Sequence, residues 1–261
     1  MKYKRYGIVV LLLCILTTFI IACTTVPYTE RRQLILFSES QEVALGNASF
    51  SQVLKEGKAS SDSHHNELVQ RAGKRIAQAA SRSDYQWEFV VLDDPKTVNA
   101  FALPGGKVAF YSGILPVCQD ENGVAVVMGH EVAHALARHG AERMSHDLLA
   151  ELGSKGLSIA LADKTPAAQN ILLKAYGLGV TYGIERPFSR EQESEADHIG
   201  LILMAKAGYD PGEAIGFWQR MDSQSKGNKM PEFLSTHPSH EHRIRQIKEW
   251  LPEVNQYYKK P

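Results

Sequence analysis

The chain has 261 residues with 29 Lys and Arg against 29 Asp and Glu, so its formal charge is zero, and 44% of it is hydrophobic. No basic stripe, Lys/Arg block or aromatic-basic motif occurs, which argues against nucleic acid as a partner, and the length suffices for one sizeable domain. The three cysteines are too few for a disulfide framework once Cys14 and Cys23 are assigned to the N-terminal segment, leaving Cys118 as a lone thiol that reads as a small buried hydrophobe.

Residues 1–22 carry Lys2, Lys4 and Arg5 ahead of an uncharged run from Gly7 to Ala22. That run is short for a membrane span, which needs about 20 apolar residues, and reads as a secretory signal. Ile20-Ile21-Ala22-Cys23 resembles a lipobox, which makes Cys23 the expected lipidated N-terminus after cleavage. Without residues 1–22 the chain holds 26 basic and 29 acidic residues, a mildly acidic body. Thr24, not Asp, follows Cys23, so the expected location is the periplasm, anchored by lipid to the outer membrane. Residues 23–37 read as a tether, 38–252 as the folded domain and 253–261 as a tail.

From Ser38 the pattern turns helical, with Ser38 and Gln41 at capping-box spacing and Val43, Leu45, Phe50, Val53 and Leu54 on one side. After a polar break at 59–65 a second helix spans Glu67 to Ala80. Trp87, Phe89 and Val91 then alternate with Gln86, Glu88 and Val90, the period of a strand. Val98 to Leu103 and Lys107 to Ser112 flank Pro104-Gly105-Gly106 and predict a hairpin. Asn99, Ala100, Phe101 and Ala102 lie on a strand that either offers its edge to an extended peptide or is plain core. Everything later reads as helix: Asn122 to His139, Glu142 to about Ala162, Ala167 to Tyr182, Glu191 to Ala207 with Ser189 and Gln192 as its capping box, a helix opened by Asp210-Pro211-Gly212-Glu213, and a last one from about Ser239 to Trp250. The apolar segment around Leu148 to Ile184 is cut by charges and glycines and predicts buried helices rather than a membrane span. The expected fold is α+β and predominantly helical, with a sheet of three or four strands.

The chemistry concentrates in His130-Glu131-Val132-Ala133-His134. Residues four apart share a helical face, so His130 and His134 can offer two imidazole nitrogens to one metal while Glu131 serves as a base toward a water. Burying this trio within the apolar stretch Val124 to Ala137 without a metal would be costly. A zinc hydrolase needs a third protein ligand, and Glu193 is the best candidate because Asp197, four residues on, can orient a ligand imidazole from the same face. Glu191 and Glu195 lie about 200° round the helix from Glu193 and should face elsewhere. His198 reads as a packing or surface residue. The cofactor expected is zinc, one per chain.

Together, His130 to His134, Glu193-Ser194-Glu195-Ala196-Asp197 and the Asn99 to Gly106 stretch resemble the Oma-type and HtpX-like zinc metallopeptidases, relatives of the CAAX prenyl proteases. The likeness runs from Arg31-Arg32-Gln33-Leu34 to the last helix and is greatest to soluble periplasmic members such as BepA and the lipoprotein LoiP. It implies a zincin-type domain with the small sheet beside the HExxH helix. It implies a metalloendopeptidase acting on misfolded or stalled envelope and outer-membrane proteins, the alternative being a chaperone or assembly factor that rarely cleaves. It also implies that His237, in Ser235-Thr236-His237-Pro238, occupies a fourth zinc position and holds the enzyme latent, with Arg243 near the site.

Overall fold

A computed structural model describes residues 23–160, 187–225, 231–237 and 242–258. The signal segment, the helix expected over Ala167 to Tyr182 and much of the apolar stretch weighed above lie outside the described residues. Among the described residues no helix is long and apolar enough to cross a membrane.

The segment expected to be a tether is instead a hairpin. Strand β1 (Cys23–Thr25) pairs antiparallel with β2 (Arg32–Leu34). Val26 is buried in the main core, its N–H donates to the Arg31 carbonyl, and Tyr28 and Glu30 turn the chain with φ of 70° and 54°. Arg31 then pairs with Glu142 at 2.6 Å and Glu195 at 2.8 Å. These partners lie far along the chain, so local polarity could not reveal them.

Helix α1 (Glu39–Glu56) starts on Ser38, whose capping box with Gln41 forms both ways. Helix α2 (Ser63–Ala80) begins four residues before the expected Glu67, because the Asp62 side chain accepts the His65 N–H and draws the polar break into the first turn. Its buried side holds Leu68, Val69, Ala72, Ile76 and Ala80, as its periodicity predicts. Strands β3 (Glu88–Leu92), β4 (Ala100–Leu103) and β5 (Lys107–Tyr111) form one sheet in the order β3-β5-β4. The β4–β5 hairpin turns through Gly105 and Gly106 at φ of 85° and 87°, a region that side chains with a Cβ avoid.

A short turn of helix, α3 (Leu115–Cys118), leads to α4 (Glu121–Leu136), capped by Asp120. Cys118 is fully buried and burial pushes its thiol well up, as befits an inert packing residue. Helix α5 (His139–Ala160) follows, then α6 (Arg190–Lys206), started by the Ser189–Gln192 capping box. Helix α7 (Glu213–Ser225) begins two residues later than the expected first position, Pro211, because Asp210 Oδ1 accepts the Gly212 N–H in a turn of its own. The short α8 (Glu232–Thr236) has no counterpart in the sequence reading, and α9 (Arg243–Val254) closes the chain's described part. The fold is thus helical with small sheets, and α4 is its axis, packed against α2, α6, α7 and the sheet.

The α4–α6 crossing fixes everything that follows. A Cβ built on Gly129 would stand 2.9 Å from the Gly200 carbonyl oxygen, and one on Gly200 would stand 3.0 Å from the His130 nitrogen. Two glycines therefore let the helix backbones touch immediately beside His130. Gly200→Val should cost at least about 1–3 kcal/mol by overpacking. At about 2–4 °C per kcal/mol for a domain of this size, circular-dichroism melting should show a midpoint lower by several degrees, and an unchanged midpoint would refute the contact's importance.

Candidate metal centre

Helix α4 is apolar on almost every side, so its polar residues are conspicuous: His130, Glu131 and His134 are 2%, 2% and 4% exposed. His130 and His134 project their Nε2 atoms to one point, 3.1 Å apart. Across the helix contact, α6 brings Glu193 with Oε1 3.3 Å from His134 Nε2 and Oε2 3.6 Å from His130 Nε2. His237, at the end of α8, closes the group with Nδ1 3.2 Å from His130 Nε2 and 3.0 Å from Glu193 Oε1. These four residues form a cluster whose donor atoms all lie within 4.8 Å of one another.

The chemistry of this donor set fits zinc. A tetrahedral ion with ligands at about 2.0–2.1 Å spaces them about 3.3 Å apart, and the separations just given scatter around that edge. Imidazole nitrogens facing one another with lone pairs inward gain little from each other; a cation among them resolves the repulsion. At His134 the ionisation state also suits: burial holds it well below the usual histidine range, in the neutral ligating form, whereas at His130 burial is outweighed by the Asp197 hydrogen bond and the Glu193 charge, which raise it. Burial opposes ionisation of Glu193, but His237, His134 and His130 outweigh it and hold its carboxyl well below the usual range.

With its Nε2 turned inward, His130 carries its proton on Nδ1 and donates to Asp197 Oδ1 at 2.9 Å. Asp197 and Glu193 share one counter-ion, Arg243, 1% exposed, whose Nε donates to Asp197 Oδ2 and whose second terminal nitrogen donates to Glu193 Oε2, both at 2.6 Å. Its guanidinium lies 3.9 Å from the Trp218 ring centre. Glu131 points to the side. Its Oε2 accepts the Ala102 N–H at 3.2 Å, while Oε1 makes no hydrogen bond and faces His237 Nε2 at 3.4 Å. Burial raises its carboxyl above the ordinary range, which brings a carboxylate base closer to neutrality.

The edge-strand residues divide. β4 is an outer strand of its sheet, and the Ala102 amide turns away toward Glu131. Ala100 belongs to the main core, and Phe101 packs with Phe50, Leu92 and Leu103 in a second cluster behind the sheet. Asn99 is buried and spends its side chain on the Ala100 N–H and on Glu232. Cys23 lies in β1.

Two residues of the centre escaped the sequence reading. His139 Nδ1 lies 2.8 Å from His134 Nδ1, and its Nε2 lies 2.9 Å from Glu195 Oε2. Glu195 does face away from the four donors, whereas Glu191 is exposed. The available signal was a histidine five residues beyond His134 and an acid two beyond Glu193. His198 stacks on Trp250, a packing histidine.

Residues 63–251 match the family described as Peptidase family M48. The chain is 40% identical to the mitochondrial metalloendopeptidase OMA1 of Schizosaccharomyces pombe over 88% of its own length and 66% of that protein's. It is 34% identical to the protein of the same name from Saccharomyces cerevisiae, over 89% of the chain and 70% of the relative. A putative beta-barrel assembly-enhancing protease of Vibrio cholerae is 32% identical over 80% of the chain and 44% of its own length. The chain therefore spans about two thirds of its yeast relatives and less than half of the bacterial one. These matches correct one expectation: the two yeast relatives, at 40% and 34% identity, are named as mitochondrial, which points away from a periplasmic protein lipid-anchored to the outer membrane through Cys23. They also support the wider family and not the lipoprotein member singled out above.

The hairpin contacts make a pH prediction. Burial raises the Glu195 carboxyl, but hydrogen bonds from His139, Thr29 and Arg31 outweigh it and hold it at about 2. A depressed carboxyl adds stability that is complete above the unfolded value of about 4.3 and disappears as pH falls toward the folded one. Melting of zinc-stripped protein should therefore weaken between about pH 4.3 and 2, and Glu195→Gln should flatten that limb; an identical limb in the variant would contradict the assignment.

Proposed function

Because the chain belongs to peptidase family M48 and its centre is that of a zinc metalloendopeptidase, we propose that it cleaves unfolded or stalled proteins in a quality-control role, with His130, His134 and Glu193 as the zinc ligands and Glu131 as the base. The observation that carries this reading is the convergence of those donors with, beside them, a buried carboxylate oxygen of Glu131 that makes no hydrogen bond. Zinc, when bound, supplies Lewis acidity that polarises a carbonyl and brings a water's pKa to about 7. Glu131 takes the proton of the attacking water and returns it to the leaving amine. Asp197 holds the His130 ring in one tautomer, and Arg243 keeps both acids of α6 in place.

β4 leads past Glu131, so an extended peptide laid along this outer strand would run beside the base. The cleft lined by Leu45, Ala102, Leu103, His134, Met144 and Phe188 would accept an apolar side chain. Main-chain pairing of this kind reads little sequence, which suits clients recognised by being unfolded.

His237 sits among the donors, and the α8 segment before it is tied to the approach of β4: the Phe233 N–H donates to the Val98 carbonyl at 2.9 Å. We infer that this segment, which brings His237 to the donors and Phe233 to Val98 just before β4, withdraws before substrate binds.

Two outcomes are expected. Glu131→Gln should lower casein or unfolded-protein cleavage by about 100-fold or more while the protein retains one zinc; undiminished cleavage would rule out Glu131 as the base. His237→Ala should raise cleavage at unchanged zinc content, and activity at or below the unsubstituted level would discard the latent reading.

A further inference from the structure

His134 is the ring in the cluster whose outer nitrogen meets another imidazole where His130 meets a carboxylate. If Nε2 of His134 faces the metal, as the ligand reading above requires and on which this inference rests, Nδ1 carries the proton. That proton is donated to His139 Nδ1 at 2.8 Å. His139 must then be protonated at Nε2, and that N–H donates to Glu195 Oε2 at 2.9 Å. Only one tautomer of each ring satisfies both contacts. His139 is fully buried, so neither nitrogen has water as an alternative.

The chain goes out of its way to deliver this ring. Between α4 and α5 Arg138 adopts φ of 57°, a left-handed conformation that residues with a Cβ disfavour. Its guanidinium is held by Glu42 and by the Phe37 carbonyl at 3.0 Å. The reversal places His139, first residue of α5, back against His134. Beyond it, Glu195 takes two more hydrogen bonds, from Thr29 Oγ1 and from Arg31 Nε at 2.8 Å. The terminal nitrogens of Arg31 meet Glu142 at 2.6 and 2.9 Å, and Glu142 is itself held by Gln192 at 2.7 Å. This line mirrors the other side of the centre, where His130 leans on Asp197 and Asp197 on Arg243.

We propose that His139 and Glu195 are positioning residues that fix the His134 ring for zinc, and that Thr29 and Arg31 make the β1–β2 hairpin a working part of the metal centre. A buried partner of this kind sets the ring plane and raises the basicity of the ligating nitrogen, and its loss weakens metal binding by about 10–100-fold.

The test uses the full chain, with zinc affinity measured by competition against a chromogenic chelator and zinc-stripped protein melted alongside. His139→Phe removes the acceptor, Glu195→Gln removes the charge at constant size, and Arg31→Met detaches the hairpin's cation. Each should weaken zinc binding, by about 10–100-fold for the first two, and cobalt-substituted protein should show an altered visible spectrum. His139→Gln, whose amide can accept from His134 and donate to Glu195, should restore most of the affinity. Folded His139→Phe and Glu195→Gln proteins that melt lower yet bind zinc as tightly as the unsubstituted chain would reduce the relay to packing and overturn the proposal. If His139→Phe fails to fold, Glu195→Gln decides the matter by the same criterion. Should His134→Ala keep full affinity, the ligand reading itself falls and the relay with it; should only His134→Ala lose affinity, the relay alone is refuted.

Discussion

Backbone contact between α4 and α6 at Gly129 and Gly200 is the constraint on which the centre depends. Two helices bearing ordinary side chains at their crossing pack with axes about 8–10 Å apart. With hydrogen at both crossing positions the helices close in, and Glu193 Oε1 arrives 3.3 Å from His134 Nε2. The contact adjoins His130 on one helix and lies three residues beyond Asp197 on the other, so a shift there displaces ligand and orienter together. Capping serves the same end. Ser189 fixes where α6 begins and hence which of its acids face inward.

Such proximity gathers negative charge inside the protein. Glu131, Glu193 and Asp197 are buried in one neighbourhood, and three ionised acids without cations would repel one another and lose hydration worth several kcal/mol each. The fold meets this in three ways. Arg243 bridges the two acids of α6, the donor cluster accommodates a divalent ion, and Glu131 is left with a raised carboxyl and one free oxygen. The two inner acids of α6 are thereby held in place, while the one placed to move a proton is kept reactive.

What could be read in the sequence was what helical spacing encodes. His130 and His134, Glu193 and Asp197 are pairs four apart, and the capping boxes at Ser38 and Ser189 are pairs three apart, so each announces itself within one or two turns. The hairpin could not be read this way, because Val26 stands alone between Thr25 and Pro27, and Arg31, across the hairpin from it, finds partners 111 and 164 residues away. His139 was missed for a related reason: five residues from His134 is the wrong spacing for a shared helical face, and only the left-handed turn at Arg138 brings the ring back. Glu195 was judged by what it does not touch. Its angle excludes it from the donors and says nothing of a second imidazole beside them. Location failed where the N-terminal signal was weighed alone, since the pattern around Cys23 carries no information about the compartment of related chains.

The order of these parts along the polypeptide has a consequence for biosynthesis. The hairpin that steadies Glu195 precedes the ligand helices along the chain, and His237 and Arg243 follow them. A nascent chain that has reached α6 already holds Glu131 and three of the four donors, yet lacks the cation that makes burying Glu193 and Asp197 tolerable. The two acids then have reason to stay hydrated and the helices to stay apart. The ordering places closure of the donor cluster after synthesis of the segment that bears His237 and Arg243.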